Sequence, residues 1–145
     1  MEVQIKRIDP TLPLPEYHTV GAAGFDIYAR VATVIPVRGL IKIPSNLIVA
    51  TPPGYMLLIS GRSSLAWKKG LILANGVGII DSDYAGPNDE ILISVYNFSE
   101  KEVLIERGER IVQGIFIKVE QAAWNEVEQM QEPDRGGFGS TGGIL

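Results

Sequence analysis

The apolar positions of this 145-residue chain fall in short runs separated by glycine, proline and polar clusters, and most runs are rich in valine and isoleucine. Residues 3–8 (VQIKRI), 24–29 (GFDIYA), 40–50 (LIKIPSNLIVA), 54–60 (GYMLLIS), 70–80 (GLILANGVGII), 90–98 (EILISVYNF), 101–106 (KEVLIE) and 110–119 (RIVQGIFIKV) each suit a strand. Many short strands with turn signals between them predict an all-β fold, a jelly-roll-like barrel or sandwich. One segment departs from the pattern: SSLAWKK (63–69) predicts one short helix of about two turns, with Ser63 or Ser64 as cap and Gly70 as stop. WNEVEQM (124–130) is ambiguous, since Trp124 and Val127 fit a helical face in a segment short for a helix. The expected organisation is a β domain over residues 1–131 and a glycine-rich tail over 132–145. That tail ends in GGFGSTGGIL, which cannot pack a core and reads either as a frayed terminus or as a lid that orders on a ligand.

Composition narrows the class. Hydrophobic residues at 46% and charged ones at 21% belong to a globular chain, and this length buries a core without disulfides or metal staples. No apolar run approaches the length of a membrane span, and MEVQIKRIDP lacks the pattern of a secretory leader. With no cysteine there is no disulfide, thiolate metal site or cysteine nucleophile, and a cytoplasmic location is expected. A net charge of -4 argues against nucleic acid held on a broad basic face. A small phosphorylated ligand stays compatible with it, provided that a few arginines gather in one place or a divalent cation helps.

Three stretches carry chemistry. In GRSSLA (61–66) a guanidinium and two hydroxyls at a helix entrance suit phosphate oxygens, although a plain helix cap beside a surface arginine has the same residues. In NGVGIIDSDYAG (75–86), Asn75 and Gly76 signal a hairpin turn, and Gly78 permits close backbone approach. Asp81, at the end of an apolar run and partly shielded from water, suits a general base. If the chain stays extended, Asp83 shares the face of Asp81; a turn would free it to pair with an arginine such as Arg110. In the tail, Arg135, Phe138, Ser140 and Thr141 stand among glycines, a composition suited to stacking on a base and wrapping an anion. His18, the single histidine, has no cysteine or second histidine with which to share a metal and reads as structural or surface.

These stretches, with two more, resemble the five ordered motifs of the homotrimeric dUTPase family: AGFDIYA (23–29), GRSSLA (61–66), NGVGIIDSDYAG (75–86), RGERIVQG (107–114) and GGFGSTG (136–142). The resemblance implies a jelly-roll-like homotrimer with active sites at subunit interfaces, each closed by a C-terminal arm. It implies hydrolysis of dUTP to dUMP and pyrophosphate with Mg²⁺, which lowers dUTP and supplies dUMP for thymidylate synthesis. By the motif matches, Asp81 is the base that activates water against the α-phosphorus. Asn75 and the backbone of Gly78, Ile79 and Ile80 bind uracil, and Tyr84 excludes a ribose hydroxyl. Arg62, Ser63, Ser64 and Gln113 contact phosphates, and Asp26 holds Mg²⁺ through water. In the tail, Phe138 and Gly139 cover uracil while Ser140, Thr141 and Arg135 reach the phosphates.

Two features depart from that pattern. PNDE (87–90) intervenes before the strand ILISVYN and reads as an enlarged turn, because Pro87 cannot pair in a central strand. Arg135 stands three residues before Phe138, where the family's arginine stands five before, and Pro133 takes the usual place. Two further readings compete with the one the motifs imply. A dCTP deaminase, alone or bifunctional, also carries an RSSLA stretch and requires a glutamate base, for which Glu90 is the nearby candidate. A catalytically silent nucleotide-binding module is the other.

Overall fold

The structure is a computed structural model that describes residues 1–137. Eleven strands are formed among these residues: β1 (Gln4–Arg7), β2 (Phe25–Tyr28), β3 (Thr33–Ile35), β4 (Leu40–Pro44), β5 (Leu47–Ala50), β6 (Tyr55–Gly61), β7 (Leu71–Leu73), β8 (Gly78–Ile80), β9 (Leu92–Asn97), β10 (Val103–Ile105) and β11 (Arg110–Lys118). They pair only antiparallel, in a four-stranded sheet of order β2-β11-β6-β8, a three-stranded sheet β4-β9-β7, and two ribbons, β1-β5 and β3-β10. The result is the jelly-roll-like β fold that the strand pattern predicts.

Alternation decides which face of each strand is inside. Along β9, Ile93, Val95 and Asn97 point inward while Leu92 stands exposed, a period of two. Ile27, Ile35, Ile43, Leu57, Leu71, Val95, Ile105 and Ile111 are fully buried in the shared core. Two of the long apolar runs prove to be two strands each. Residues 40–50 break at Ser45–Asn46, where Asn46 takes φ 72°, and its side chain clasps Asp9 by accepting from Asp9 N at 2.6 Å and donating to Asp9 O at 3.0 Å. Residues 70–80 break at the turn Asn75–Gly76, with Gly76 at φ 72°. The short strand β3 was not among the predicted elements; its partner β10, with Ile35 opposite Val103, gives it the ladder that three residues cannot supply alone.

The predicted helix is shorter and wider than expected. Leu65–Lys69 form a π-helical turn, Ser64 occupies the cap position without a side-chain capping bond, and Gly70 ends the turn at φ 65° with its N–H on Ala66 O. WNEVEQM forms neither helix nor strand. Beyond β11, residues 120–137 are exposed throughout, Trp124 at 94% and Met130 at 78%.

Asn97 links three segments from inside the core. Its Nδ2 donates to the carbonyls of Ile35, Pro36 and Lys101 at 2.8–3.1 Å, and its Oδ1 accepts from Ser99 N and Ser99 Oγ. Replacement by alanine strands those buried groups, so Asn97→Ala is expected to cost at least about 2 kcal/mol in a urea melt. At the surface, Arg107 donates to Asp9 Oδ2 at 2.7 Å, and this guanidinium, with Thr11, holds the Asp9 carboxyl well below the usual carboxylate range. A depressed folded-state pKa stabilises above the unfolded value and loses that effect as pH falls below it. The Tm difference between the wild-type chain and Asp9→Asn is therefore expected to persist near neutrality and to shrink below about pH 4.

Candidate active site

Two groups of predicted site residues are assembled at separate places on the chain. The first centres on Asp26 of β2, which is nearly buried between Phe25 and Ile27 and lies opposite Gln113 of β11 in the ladder. Arg62 follows directly on β6 and Arg110 opens β11, so adjacent strand ends bring both guanidinium groups to this carboxylate. Arg62 Nε lies 3.0 Å from Asp26 Oδ1, and Arg110 Nη1 donates to Oδ2 at 3.2 Å. His18 Nε2 stands 3.0 Å from the same Oδ2 and 2.7 Å from Arg110 Nη1. Beside them opens a hollow of about 370 Å³ lined by Arg62, Ser64, Lys68, Lys69 and Arg110, with Glu109 as its one acidic side chain, paired to Lys69 at 2.8 Å. Ser64, with no capping bond, leaves its hydroxyl available there, and Ser63 is exposed next to it. Cationic forks and hydroxyls on a protein of net charge -4 make this the place where an anion fits.

The second group surrounds the Asn75–Gly76 turn. The turn predicted from sequence is formed, with Gly76 N donating to Leu73 O at 3.1 Å and Val77 N to Asn75 O at 2.8 Å. The strands on either side do not form a paired hairpin: β7 pairs with β9 and β8 with β6, each at the edge of its own sheet. An edge strand leaves half of its backbone donors and acceptors outside the ladder. Between the diverging strands lies a cleft of about 100 Å³ lined by Asn75, Gly78, Ile79, Ile80 and by residues of β9 and its approach. A Cβ on Gly78 would stand 3.0 Å from Ile59 Cβ, so glycine lets β8 sit this close to β6.

Beyond the cleft, the chain turns rather than continuing extended. Tyr84 N donates to Asp81 O at 3.3 Å, closing a turn over 81–84 in which Asp81 and Asp83 are both exposed. The expected partial shielding of Asp81 is absent from the single chain, because the residue stands past the end of β8. Nor does Arg110 pair with Asp83; Asp26 and His18 take it. PNDE does form the expected turn, with Asp89 Oδ2 accepting from Gly86 N at 2.7 Å. Glu90, the candidate deaminase base, is fully engaged by Arg30 at 2.8 and 2.9 Å and by Asn46 N at 2.8 Å.

Strand β6 measures the separation of the two groups. Ile80 pairs with Leu57, which puts Asp81 beside Met56, while Arg62 follows the opposite end of the strand. Six residues of extended chain separate these ends by roughly 20 Å.

Comparison with known proteins bears directly on this arrangement. Residues 11–142 match the model of the family described as dUTPase. The chain belongs to the dUTPase family. Among curated relatives, the deoxyuridine 5'-triphosphate nucleotidohydrolase of Dictyoglomus turgidum is 42% identical over 98% of this chain and 99% of its own length. That of Finegoldia magna is 44% identical over 90% and 92%. Among solved structures, the dUTPase of Streptococcus mutans superposes with TM-score 0.76 at 32% identity, over 83% of this chain and 98% of that one. The Staphylococcus bacteriophage 80alpha dUTPase, solved with dUPNHPP, reaches 0.87 at 24% identity over 97% and 98%, a likeness of fold.

In dUTPase terms, the first, second and fourth motifs meet at Asp26, the third stands apart with Asn75, Gly78 and Asp81, and Arg135 of the tail is exposed. Phe138, Gly139, Ser140 and Thr141 lie outside the described residues. The residues around Asp26 do not fit a resident Mg²⁺. Both carboxylate oxygens face cationic partners, and no group of three or more metal-capable side chains occurs among the described residues. Within the chain Asp26 is ion-paired, and the Mg²⁺ contact expected of it is one made through water, not by direct ligation. Sequence reasoning did not anticipate His18 in this cluster, since a lone histidine in a loop carries no signal of its target. Replacing Asp26 by Asn leaves two converging guanidinium groups without a counter-charge. Because both arginines are partly exposed, the expected loss is about 1–3 kcal/mol by thermal or chemical melting, less than for a fully buried pair.

Proposed function

We propose that this dUTP diphosphatase of the dUTPase family acts as an assembly of identical chains, in which Asp81 of one chain serves a triphosphate held by Arg62, Ser63, Ser64 and Gln113 of another. The observation that carries this reading is the separation of the two groups along β6: a base roughly 20 Å from the phosphate-binding side chains cannot serve them within one subunit. A homotrimer with three such shared sites is the assembly that the motifs imply. The exposed segment 120–137, with Trp124 and Met130 in water, then becomes an arm that carries Arg135, Phe138, Gly139, Ser140 and Thr141 to a neighbouring site.

In this reading uracil enters the cleft between β7 and β8 and is read by Asn75 and by those backbone groups of Gly78, Ile79 and Ile80 that the pairing with β6 leaves facing outward. Cytosine presents the opposite donor and acceptor there and leaves buried groups unpaired. Tyr84 stands under the sugar and excludes a 2'-hydroxyl. Asp81 takes a proton from water as the water oxygen bonds to the α-phosphorus. The bond from that phosphorus to the α,β-bridging oxygen breaks, and pyrophosphate leaves with the electron pair. Arg62 offsets charge on the phosphate oxygens and the serine hydroxyls donate to them, in a hollow whose basic side chains outnumber its one acidic one. Mg²⁺ bound with the substrate would offset charge on the triphosphate, and Asp26 would contact it through water.

Pyrophosphate release from dUTP by Asp81→Asn is expected to fall by orders of magnitude with substrate binding largely kept. Mixing decides whether sites are shared. Asp81→Asn and Arg62→Met chains, each inactive alone, are expected to regain activity when refolded together, with roughly a quarter of the sites intact by random assortment. Recovery of no activity from correctly assembled mixtures would place the whole site in one chain.

A further inference from the structure

The hollow beside Asp26 is lined by four basic side chains, Arg62, Lys68, Lys69 and Arg110, and three of them are already committed within the chain. Arg62 and Arg110 share the Asp26 carboxylate at 3.0 and 3.2 Å. Lys69 donates to three oxygens: Glu109 Oε1 at 2.8 Å, Glu109 Oε2 at 3.1 Å and the Leu104 carbonyl at 3.2 Å. Lys68 differs from all three. Among the described residues its ammonium has neither an ion-pair nor a hydrogen-bond partner, and the residue is exposed. Local structure sets it there. Buried Leu65 pins the π-helical turn, Trp67 faces water at 91% and takes no part in lining the hollow, and Ser64 and Lys68, four positions apart, both line it. Phosphate oxygens entering the hollow compete with Asp26 and Glu109 for the other three cations, whereas Lys68 offers its charge without losing an internal partner.

We propose that Lys68 binds the phosphate chain of the substrate, as the one cation of the hollow that no residue of the protein has already neutralised. The proposal rests on the reading of this hollow as the phosphate site. A lysine ammonium is a point charge on a flexible stem and, unlike an arginine fork, fixes distance more than orientation. It therefore strengthens substrate and transition state alike, which lowers KM and leaves kcat where it is. The competing role for Lys68 is a favourable charge at the end of its own turn. A turn of five residues has little dipole to answer, and that role shows in Tm and not in KM.

The test measures kcat and KM for dUTP in wild type, Lys68→Gln, Lys68→Arg and Lys101→Gln, with Tm recorded for each. Lys101 is the control: it is exposed, has no ion pair among the described residues, and shares with Lys68 the surface beside Trp67 and Phe98 but does not line the hollow. Lys68→Gln is expected to raise KM about tenfold with kcat and Tm unchanged, the scale of one hydrogen bond to a charged group. Lys68→Arg, which keeps the charge, and Lys101→Gln, which removes one outside the hollow, are expected to stay close to wild type. A wild-type KM in Lys68→Gln overturns the proposal, as does an equal rise in Lys101→Gln or in Lys68→Arg. Binding of dUTP to the Asp81→Asn chain, with and without Arg62→Met, tests the underlying reading separately. Unchanged affinity on adding Arg62→Met overturns the phosphate hollow itself, whereas weakened affinity together with a wild-type KM in Lys68→Gln removes Lys68 alone.

Discussion

Two guanidinium groups aimed at one spot repel each other unless a counter-charge stands between them, and Asp26 is that charge. Its position follows from the ladder. β2 and β6 both pair with β11, so the carboxylate on β2, the arginine after β6 and the arginine opening β11 converge without a long loop. Because the carboxylate is nearly buried and the guanidinium groups are not, the pairs hold Arg62 and Arg110 in place while leaving much of each fork toward solvent. An acidic protein thus keeps a local positive hollow.

On the proposed reading, the same ladder keeps the chain from completing its site alone. β6 is paired on both sides, by β11 and β8, so its length acts as a spacer between the cleft at Asn75 and the hollow at Arg62. Folding and assembly become separate problems. Core residues such as Ile27, Leu57 and Ile111 shape one subunit, whereas on the proposed reading catalysis depends on the surfaces where Asp81 and Arg62 are displayed.

The strands were legible in sequence as short runs rich in valine and isoleucine bounded by turn residues, while the period of two appears in burial, as along β6 and β9. The breaks inside residues 40–50 and 70–80 were not both legible. Asn75–Gly76 announces a turn, while Ser45–Asn46 turns because Asn46 finds Asp9, a partner distant in sequence. The two flanks of Asn75–Gly76 go to different sheets, which depends on β9 and β6 and not on the turn residues. Local chemistry marked candidate residues but not their tertiary pairings: Arg110 chooses Asp26 over Asp83, and Glu90 is committed to Arg30. Such choices lie in strand order, which no local window contains.

The divergence of β7 and β8 has a consequence for how the enzyme can change over time. A cleft whose polar edge is mostly main chain presents the same donors and acceptors whatever side chains occupy Ile79 or Ile80. Point mutation can narrow such a cleft or loosen it, but has few means of exchanging a donor for an acceptor. On the proposed reading, the letter being read is thereby insulated from drift in the sequence, and variation is directed to rate, sugar choice and assembly instead.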